Sequence, residues 1–145
     1  MAEFHVQVGH QATFTKTVSE SDVYLFAGIT GDLSPNHCDQ SYMERSKYGR
    51  RMAHGALLVG FMSTASALAL ADCRSDTEEI PVSVGYDRVR FPAAVFLGDT
   101  ITVEYVIGKI ELDRRRSYAD VKVTNQDGIL VGVATHILQW VGNRD

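Results

Sequence analysis

The chain has 145 residues, a length typical of one domain built around one hydrophobic core. Hydrophobic residues make up 45% of it and charged residues 22%, which is ordinary for a globular protein. The formal net charge of −4 gives no basic surface for nucleic acid, so we expect no nucleic-acid partner.

The sequence also carries no pattern typical of export or membrane insertion. No basic stretch followed by an apolar run precedes the first predicted strand. The most apolar stretch, residues 56–71, is broken by glycine, serine and threonine and is shorter than the roughly 20 residues needed to cross a bilayer. Two cysteines form no disulfide framework. We therefore expect a cytoplasmic protein with no membrane partner.

The first third of the chain predicts one strand, one short helix and a long irregular segment. Residues 11–18 alternate weakly and predict a strand, and Ser19 is a candidate N-cap for a helix ending at Gly28. Residues 30–53 are polar and lack periodicity, as functional loops of compact domains often do. In this segment we expect Pro35 to hold the chain out of helix and strand.

The remainder predicts one apolar helix followed by strands. Residues 54–71 are apolar around nearly the whole helical circumference, so this helix should be buried on most sides. Period-2 alternation and β-branched residues predict four strands, at 81–91, 99–112, 117–125 and 128–140, with a hairpin turn at 125–128. Breaks in the alternation near Asp87 and Gly108 predict bulges.

These elements predict an α+β domain over residues 1–145, in which a curled antiparallel sheet wraps around a long buried central helix. A single sheet of this kind leaves free edges and incompletely covers the helix. Pairing of two copies would extend the sheet and cover the remainder, so we expect a homodimer.

The segment Ile29–His37, read as ITGDLSPNH, carries the most informative motif. Gly31, Asp32, Pro35 and His37 precede a His54-Gly55 pair that opens the long helix. This order and spacing resembles the MaoC-like hydratases, which include (R)-specific enoyl-CoA hydratases of the hot-dog fold. The resemblance covers almost the whole chain. Two positions depart from the family pattern, because family members commonly have Asn at the position of Ser34 and an aliphatic residue at that of Asn36.

The resemblance implies a role for four residues. Asp32 and His37 would be the catalytic pair, the Gly55 backbone N–H would receive the thioester oxygen, and Ser63 would be a supporting hydroxyl. Hydrating an enoyl thioester requires a held water, a base, an acid and donors for enolate-like charge. An Asp and a His acting on one water, with unpaired N–H groups at the start of a helix, meet those requirements.

Each of these residues also has a plainer interpretation. Asp32 could be a turn residue after Gly31, and His37 a surface histidine. His54 is better explained as a structural residue at the start of the helix than as a catalyst. Ser63 could donate to a carbonyl one turn earlier in its own helix.

Two basic clusters could contact the phosphates of coenzyme A. One is the set Arg45, Lys47, Arg50 and Arg51, which the sequence favours because it follows the catalytic segment. The other is the run at 113–116, which otherwise belongs to a solvated hairpin turn. No dinucleotide fingerprint or metal-ligand spacing is present, so we expect no cofactor beyond the thioester carrier and no metal.

The sequence therefore predicts a hydratase that interconverts trans-2-enoyl-CoA and (R)-3-hydroxyacyl-CoA. Two alternatives stay open, an acyl-CoA thioesterase on the same fold and a non-catalytic acyl-thioester-binding partner subunit. The substrate carrier could be coenzyme A or acyl-carrier protein, and the length, branching and polarity of the acyl group are not specified by the sequence.

Overall fold

The computed structural model describes residues 4–73 and 78–142, and its centre is one antiparallel five-stranded sheet. The strands are β1 Gln11–Thr17, β2 Glu79–Arg90, β3 Thr100–Glu111, β4 Arg116–Thr124 and β5 Leu130–Gly142. They lie in the order β1-β3-β4-β5-β2, so β1 and β2 are the two edges. The helices are α1 Glu20–Thr30, α2 Pro35–Cys38, α3 Gln40–Glu44 and α4 Gly55–Ala69, followed by a 3₁₀ turn at Ala71–Cys73. The predicted α+β architecture is confirmed.

The sheet bends where the sequence alternation breaks. The β2–β5 register shifts between Asp87 and Arg90, and the β3–β4 register shifts between Ile107 and Lys109, on either side of Gly108. A side chain at Gly108 would come within 2.6 Å of the Asp120 carboxylate, so that flexible side chain would have to move. Both predicted bulges are confirmed, and they let the sheet curl around α4.

Helix α4 forms the centre of the core, packed mainly against β1 and β3. Leu58, Phe61, Met62 and Ala65 on one face are buried against the sheet. The opposite face is exposed in the single chain. It carries mostly small residues, namely Ala56, Gly60, Ser63, Ala67 and the larger Leu68. The prediction that α4 is buried on most sides is therefore wrong for the isolated chain, because the sheet covers only one face of the helix.

Helix α1 begins as the sequence predicts and ends later. The Ser19 side chain accepts a hydrogen bond from the Asp22 N–H at 3.1 Å, and the Asp22 carboxylate accepts one from the Ser19 N–H at 2.9 Å, which together form a capping box. The helix continues through Gly28 and ends at Gly31, which adopts φ 81° and donates to the Ala27 carbonyl. The predicted end at Gly28 is wrong, because only Gly31 adopts the left-handed conformation that ends the helix.

The segment predicted to be irregular contains two short helices. Pro35 is the first residue of α2, where its fixed φ suits the helix and its missing N–H is not required. Pro35 therefore starts a helical turn, and the expectation that it keeps the chain out of helix is wrong. In the described part of the chain, no helix combines the length and apolar character that crossing a bilayer requires.

The core contains one buried histidine with two hydrogen-bonded ring nitrogens. His136 on β5 is 1% exposed, and its Nδ1 and Nε2 lie 2.7 Å from the Tyr105 hydroxyl and the Ser83 hydroxyl. Burial lowers the pKa of His136 to about 4 and raises that of Tyr105 to about 12. His136 is therefore neutral in the folded protein at physiological pH.

We predict that His136 makes the protein lose stability as pH falls from about 6.5 to about 4. Between these values the unfolded chain binds a proton at this residue and the folded chain does not, which amounts to ~3 kcal/mol at most. His136→Gln should be less stable at neutral pH, but it should lose less stability on acidification. Urea unfolding of both proteins across this range measures the difference.

Carboxylates contribute at lower pH and do not obscure this comparison. The Arg115 guanidinium lowers the pKa of Glu79 to about 2. The contribution of Glu79 to folding stability is therefore lost mainly as the pH falls from 4.5 to about 2. Parallel stability curves for wild type and His136→Gln between about pH 6.5 and 4.5 would contradict the prediction.

Candidate active site

Asp32 lies in the turn between α1 and α2, where Ser34 holds its carboxylate. Oδ1 of Asp32 accepts hydrogen bonds from the Ser34 hydroxyl at 2.6 Å and from the Ser34 N–H at 3.2 Å. These bonds lower the pKa of Asp32, with smaller contributions from His54 and His37. The carboxyl group is therefore ionised at neutral pH. Its side chain is about half exposed, and Oδ2 lies 4.0 Å from Nε2 of His54.

His37 lies on α2 with one ring nitrogen fixed and the other available. Its Nδ1 lies 2.7 Å from the Met52 carbonyl oxygen, which can only accept, so Nδ1 carries the proton. In the neutral imidazole Nε2 then has a free lone pair. The backbone supports the same contact, because the Met52 N–H donates to the Asn36 carbonyl at 2.9 Å.

His54, the residue before α4, connects Asp32 to His37. It is 2% exposed, its Nε2 donates to the Asp32 carbonyl oxygen at 3.0 Å, and its ring stacks on that of His37 at 3.7 Å. Phe26 packs against the same ring at 4.7 Å. This arrangement supports a structural role for His54. No sequence pattern predicts that His54 contacts both Asp32 and His37.

Asp32, His37 and His54 lie close enough to be considered as a metal site, since a ligand atom from each falls within 4.8 Å of the others. The geometry does not favour one. The two imidazole rings are stacked within 25° of parallel, so their in-plane lone pairs do not converge on one point. Nδ1 of His54 is buried and has no hydrogen-bond partner among residues 4–73 and 78–142.

Gly55 begins α4 immediately after His54, and the aromatic ring of Phe91 covers it. A Cβ at this position would lie 2.6 Å from the ring carbons of Phe91, so a larger residue would displace that ring. The first N–H groups of α4 have no partners within the helix and lie at its positive end. Gly55 therefore brings unpaired backbone donors next to His37.

A cleft of about 690 Å³ opens beside these residues. Its lining includes His37, Gly55 and Leu58 on one side and Phe91 and Phe96 on the other. The volume falls within the range of small-molecule sites. Of the residues predicted from the sequence, His37, Gly55 and Arg50 line this cleft. Asp32 is not among the described lining residues, but its carboxylate lies within 4.8 Å of a ring nitrogen of His37.

Ser63 lies elsewhere in the fold. It is exposed on α4, two turns beyond Gly55, and the described residues that line the cleft do not include it. Its side chain lies near Tyr86. Burial raises the pKa of Tyr86, and the contact with Ser63 offsets part of that increase. The role of Ser63 therefore stays a prediction.

The four predicted phosphate contacts differ in their surroundings. Arg50 lines the cleft, with its guanidinium 4.0 Å from the centroid of the Phe96 ring. Arg51 is already bound to Glu20, to Gln40 at 3.0 Å and to the Tyr24 hydroxyl. Arg45 and Lys47 are exposed outside the cleft lining. Arg50 is thus the best placed of the four.

The second basic run lies on the turn between β3 and β4. Arg115 binds Glu79, and its guanidinium lies 4.6 Å from the centroid of the Phe4 ring. Arg114 is exposed beside Glu111 at 4.0 Å. The described lining of the cleft contains none of these arginines.

Comparison with known proteins identifies a family for this chain. The family described as "MaoC like domain" matches residues 4–128. An (R)-specific enoyl-CoA hydratase from Rhodospirillum rubrum is 33% identical over 70% of this chain and 66% of its own length. A 3-hydroxybutyryl-CoA dehydratase from Methylorubrum extorquens is 31% identical over 77% of this chain and 67% of its own.

A solved structure matches the fold. The (R)-hydratase from Aeromonas caviae superposes with a TM-score of 0.80, covers 92% of this chain and 96% of its own, and is 22% identical. At 22% identity, this structural similarity supports the fold and not the function. The family match covers most of the chain, and the chain therefore belongs to the MaoC-like domain family and has the hot-dog fold.

Proposed function

We propose that this protein is a hydro-lyase that interconverts trans-2-enoyl-CoA and (R)-3-hydroxyacyl-CoA. The observation that carries the proposal is the convergence of the Asp32 carboxylate and the His37 imidazole next to the helix start at Gly55. The similarity to an (R)-specific enoyl-CoA hydratase and a 3-hydroxybutyryl-CoA dehydratase supports it.

Asp32 and His37 would act on one water molecule. The ionised Asp32 carboxylate can accept one hydrogen bond from the water through Oδ2, and Nε2 of His37 can accept the other. The pair would take one proton from the water as its oxygen bonds to C3 and would deliver a proton to C2, so that the C2–C3 π bond is replaced by a C–O and a C–H bond with no net gain or loss of protons. Because the two groups interact, the pair is treated as a unit and the acid and base are not assigned separately.

The start of α4 would stabilise the charge that develops on the thioester oxygen. Backbone N–H groups at a helix start are fixed before the reaction and need no reorganisation. Phe91 covers Gly55 and reduces the access of water to this point. The absence of a Cβ at Gly55 is what allows the Phe91 ring to lie this close to the backbone.

We predict that Asp32→Asn and His37→Ala each lower kcat/KM for crotonyl-CoA hydration by at least ~100-fold, because each removes one partner of the water. Loss of the conjugated-thioester absorbance measures the rate. Asp113→Asn and His10→Ala serve as matched controls and should keep wild-type rates, because neither residue belongs to the described cleft lining or to the group of Asp32, His37 and His54. Thermal unfolding of all four variants checks that they are folded.

Three outcomes would count against the hydratase proposal. Wild-type activity in both Asp32→Asn and His37→Ala would exclude Asp32 and His37 as the catalytic pair. Release of free thiol without loss of the alkene, followed with a thiol-trapping reagent, would identify the thioesterase alternative. Tight crotonyl-CoA binding with neither reaction would instead favour the non-catalytic partner subunit.

Arg50 is proposed to contact a phosphate of coenzyme A. It is exposed at the cleft and held over Phe96, so its charge can reach a bound ligand. Lys and Arg are the usual partners of phosphate groups. An acyl-carrier protein would present its phosphopantetheine phosphate to the same residue, so the contact is compatible with either carrier.

We predict that Arg50→Ala raises the KM for crotonyl-CoA by about tenfold, the loss of one charge-assisted hydrogen bond. The same variant should leave the KM for the N-acetylcysteamine thioester unchanged, since that substrate has no phosphate. Arg114→Ala is the control for the second basic run. If Arg114→Ala raises the KM for crotonyl-CoA more than Arg50→Ala does, the phosphate contact would instead lie at the β3–β4 turn.

The open face of α4 and the free edge of β2 support a homodimer. The edge strand β2 is twelve residues long and exposes Ile80, Val82 and Val84, of which Val84 is 51% exposed. A long apolar edge invites pairing with another strand. Pairing of two β2 strands would continue the sheet and bring a second copy against the exposed face of α4.

We predict that light scattering gives twice the mass of one chain. Val84→Lys should shift the protein to the monomer, because a charge in the edge blocks pairing. The matched control is Val8→Lys, at a position 63% exposed and outside β2. A wild-type monomer, or a Val84→Lys dimer, would contradict the β2 interface.

A further inference from the structure

Six polar side chains form a cluster between α4, β2 and the centre of the sheet. Ser66, Tyr105 and His136 are its buried members, and Ser63, Ser83 and Tyr86 are its outer members. We call this group the polar cluster. The described cleft lining at His37 and Gly55 contains none of the six. Polar groups are rarely placed inside a hydrophobic core unless they are paired.

Most of the polar cluster is satisfied internally. His136 shares hydrogen bonds with the hydroxyl groups of Tyr105 and Ser83, both at 2.7 Å. The Ser66 side chain lies against the Tyr105 hydroxyl and lowers its pKa, against the larger raising effect of burial. These bonds hold the ring of His136 in one orientation.

Tyr86 is the exception. Its ring lies flat on that of His136, with centroids 4.2 Å apart and an interplanar angle of 13°. Its hydroxyl is buried and makes no hydrogen bond of ordinary geometry with any residue in 4–73 or 78–142. The outer hydroxyl of Ser63 lies close enough to lower the pKa of Tyr86, but the two hydroxyl groups do not form a hydrogen bond of ordinary geometry. A buried hydroxyl without a partner costs stability, so its retention calls for a partner that is not part of the folded chain.

The polar cluster lies along a line that begins at the candidate active site. Phe91 covers Gly55 at the first turn of α4, and Tyr86, five residues earlier in the chain, is near Ser63 two turns along the same helix. Eight residues of helix span about 12 Å. A thioester held at Gly55 could therefore extend its acyl chain along α4 towards Tyr86.

We propose that the hydroxyl groups of Tyr86 and Ser63 bind an uncharged oxygen on the acyl chain, so that the preferred substrates are acyl thioesters with a distal hydroxyl or keto group. This inference rests on the hydratase proposal for its substrate class. It assigns the part of the acyl group beyond the reacting carbons, which the pair Asp32 and His37 does not contact.

The chemistry of the polar cluster favours an uncharged group over a carboxylate. None of its six side chains is cationic at neutral pH, since burial lowers the pKa of His136 to about 4. A carboxylate there would be desolvated without an opposite charge. A hydroxyl or keto oxygen needs only a donor, which the Tyr86 hydroxyl provides.

The test measures binding of unreactive ligands, so that it does not depend on turnover. Saturated acyl-CoAs from butanoyl to decanoyl are titrated calorimetrically, each paired with the compound that carries a terminal hydroxyl and with the one that carries a terminal carboxylate. For at least one length we expect the hydroxyl compound to bind about tenfold more tightly than the alkyl compound. The carboxylate compound should bind more weakly than the hydroxyl compound.

Tyr86→Phe removes only the unpaired hydroxyl and keeps the stacked ring. We expect it to reduce the hydroxyl-to-alkyl affinity ratio to about one, with an unfolding temperature equal to or above that of wild type. Ser63→Ala should also lower the ratio. Tyr118→Phe is the matched control, because the Tyr118 hydroxyl donates to Glu111 at 2.8 Å outside the polar cluster, and it should keep the wild-type ratio.

The outcomes separate this inference from the hydratase proposal. Equal affinities within every pair, tighter binding of the carboxylate compound, or an unchanged ratio in Tyr86→Phe would each overturn it. Dissociation of a dimer by Tyr86→Phe with the ratio kept would assign the hydroxyl to the second copy instead. Crotonyl-CoA has no distal oxygen, so its hydration tests the reaction alone, whatever the affinity ratios are.

Discussion

The candidate site depends on one short extended piece of backbone, Met52-Ala53, which joins three parts of the fold. The Met52 carbonyl fixes Nδ1 of His37, and the Met52 N–H donates to the Asn36 carbonyl. The Ala53 N–H donates to the Val95 carbonyl at 2.7 Å on the other side. Because these bonds use backbone atoms, they depend little on side-chain identity. They set the distance between α2 and the start of α4, and therefore between the imidazole and the helix N–H groups.

His54 extends this arrangement to Asp32. Its ring packs against those of Phe26 and His37, and its Nε2–H group donates to the Asp32 carbonyl oxygen. A residue placed in this way fixes the backbone of one member of the pair and the ring plane of the other. Such positioning is what a reaction on one held water requires, because small displacements of either group separate it from the water.

The departures from the family pattern have a partial physical explanation. Ser34 stands where family members commonly have Asn, and its hydroxyl and N–H both bind Oδ1 of Asp32. The shorter side chain therefore still supports the carboxylate and lowers its pKa. Asn36 contributes its backbone carbonyl to the Met52 N–H, a contact that any residue could make, and its side chain is exposed.

Much of the fold could be predicted from the sequence because its signals are local. Alternation predicted the strands, and breaks in it predicted the bulges at Asp87 and Gly108. The boundaries that failed depended on a backbone conformation, as at Gly31, or on a proline suited to two structures, as at Pro35. The pair Asp32 and His37 could be proposed because its segment resembles that of the MaoC-like hydratases. The stacking of His54 could not, because it depends on contacts between residues far apart in sequence.

The polar cluster could not be predicted from the periodicity of the strands. Residues of β2, β3 and β5 with ordinary strand spacing meet beneath α4, and no single strand indicates that Ser83, Tyr105 and His136 form one network. The same helix has an apolar face towards the sheet and a face of mostly small residues towards solvent. Small residues leave room beside a helix, and hydroxyl groups within that room can discriminate between ligands once water is excluded. Under these proposals helix α4 would serve two purposes: its start would lie at the reacting centre, and Ser63 would help to select the acyl group while the rest of the open face packs against the second copy.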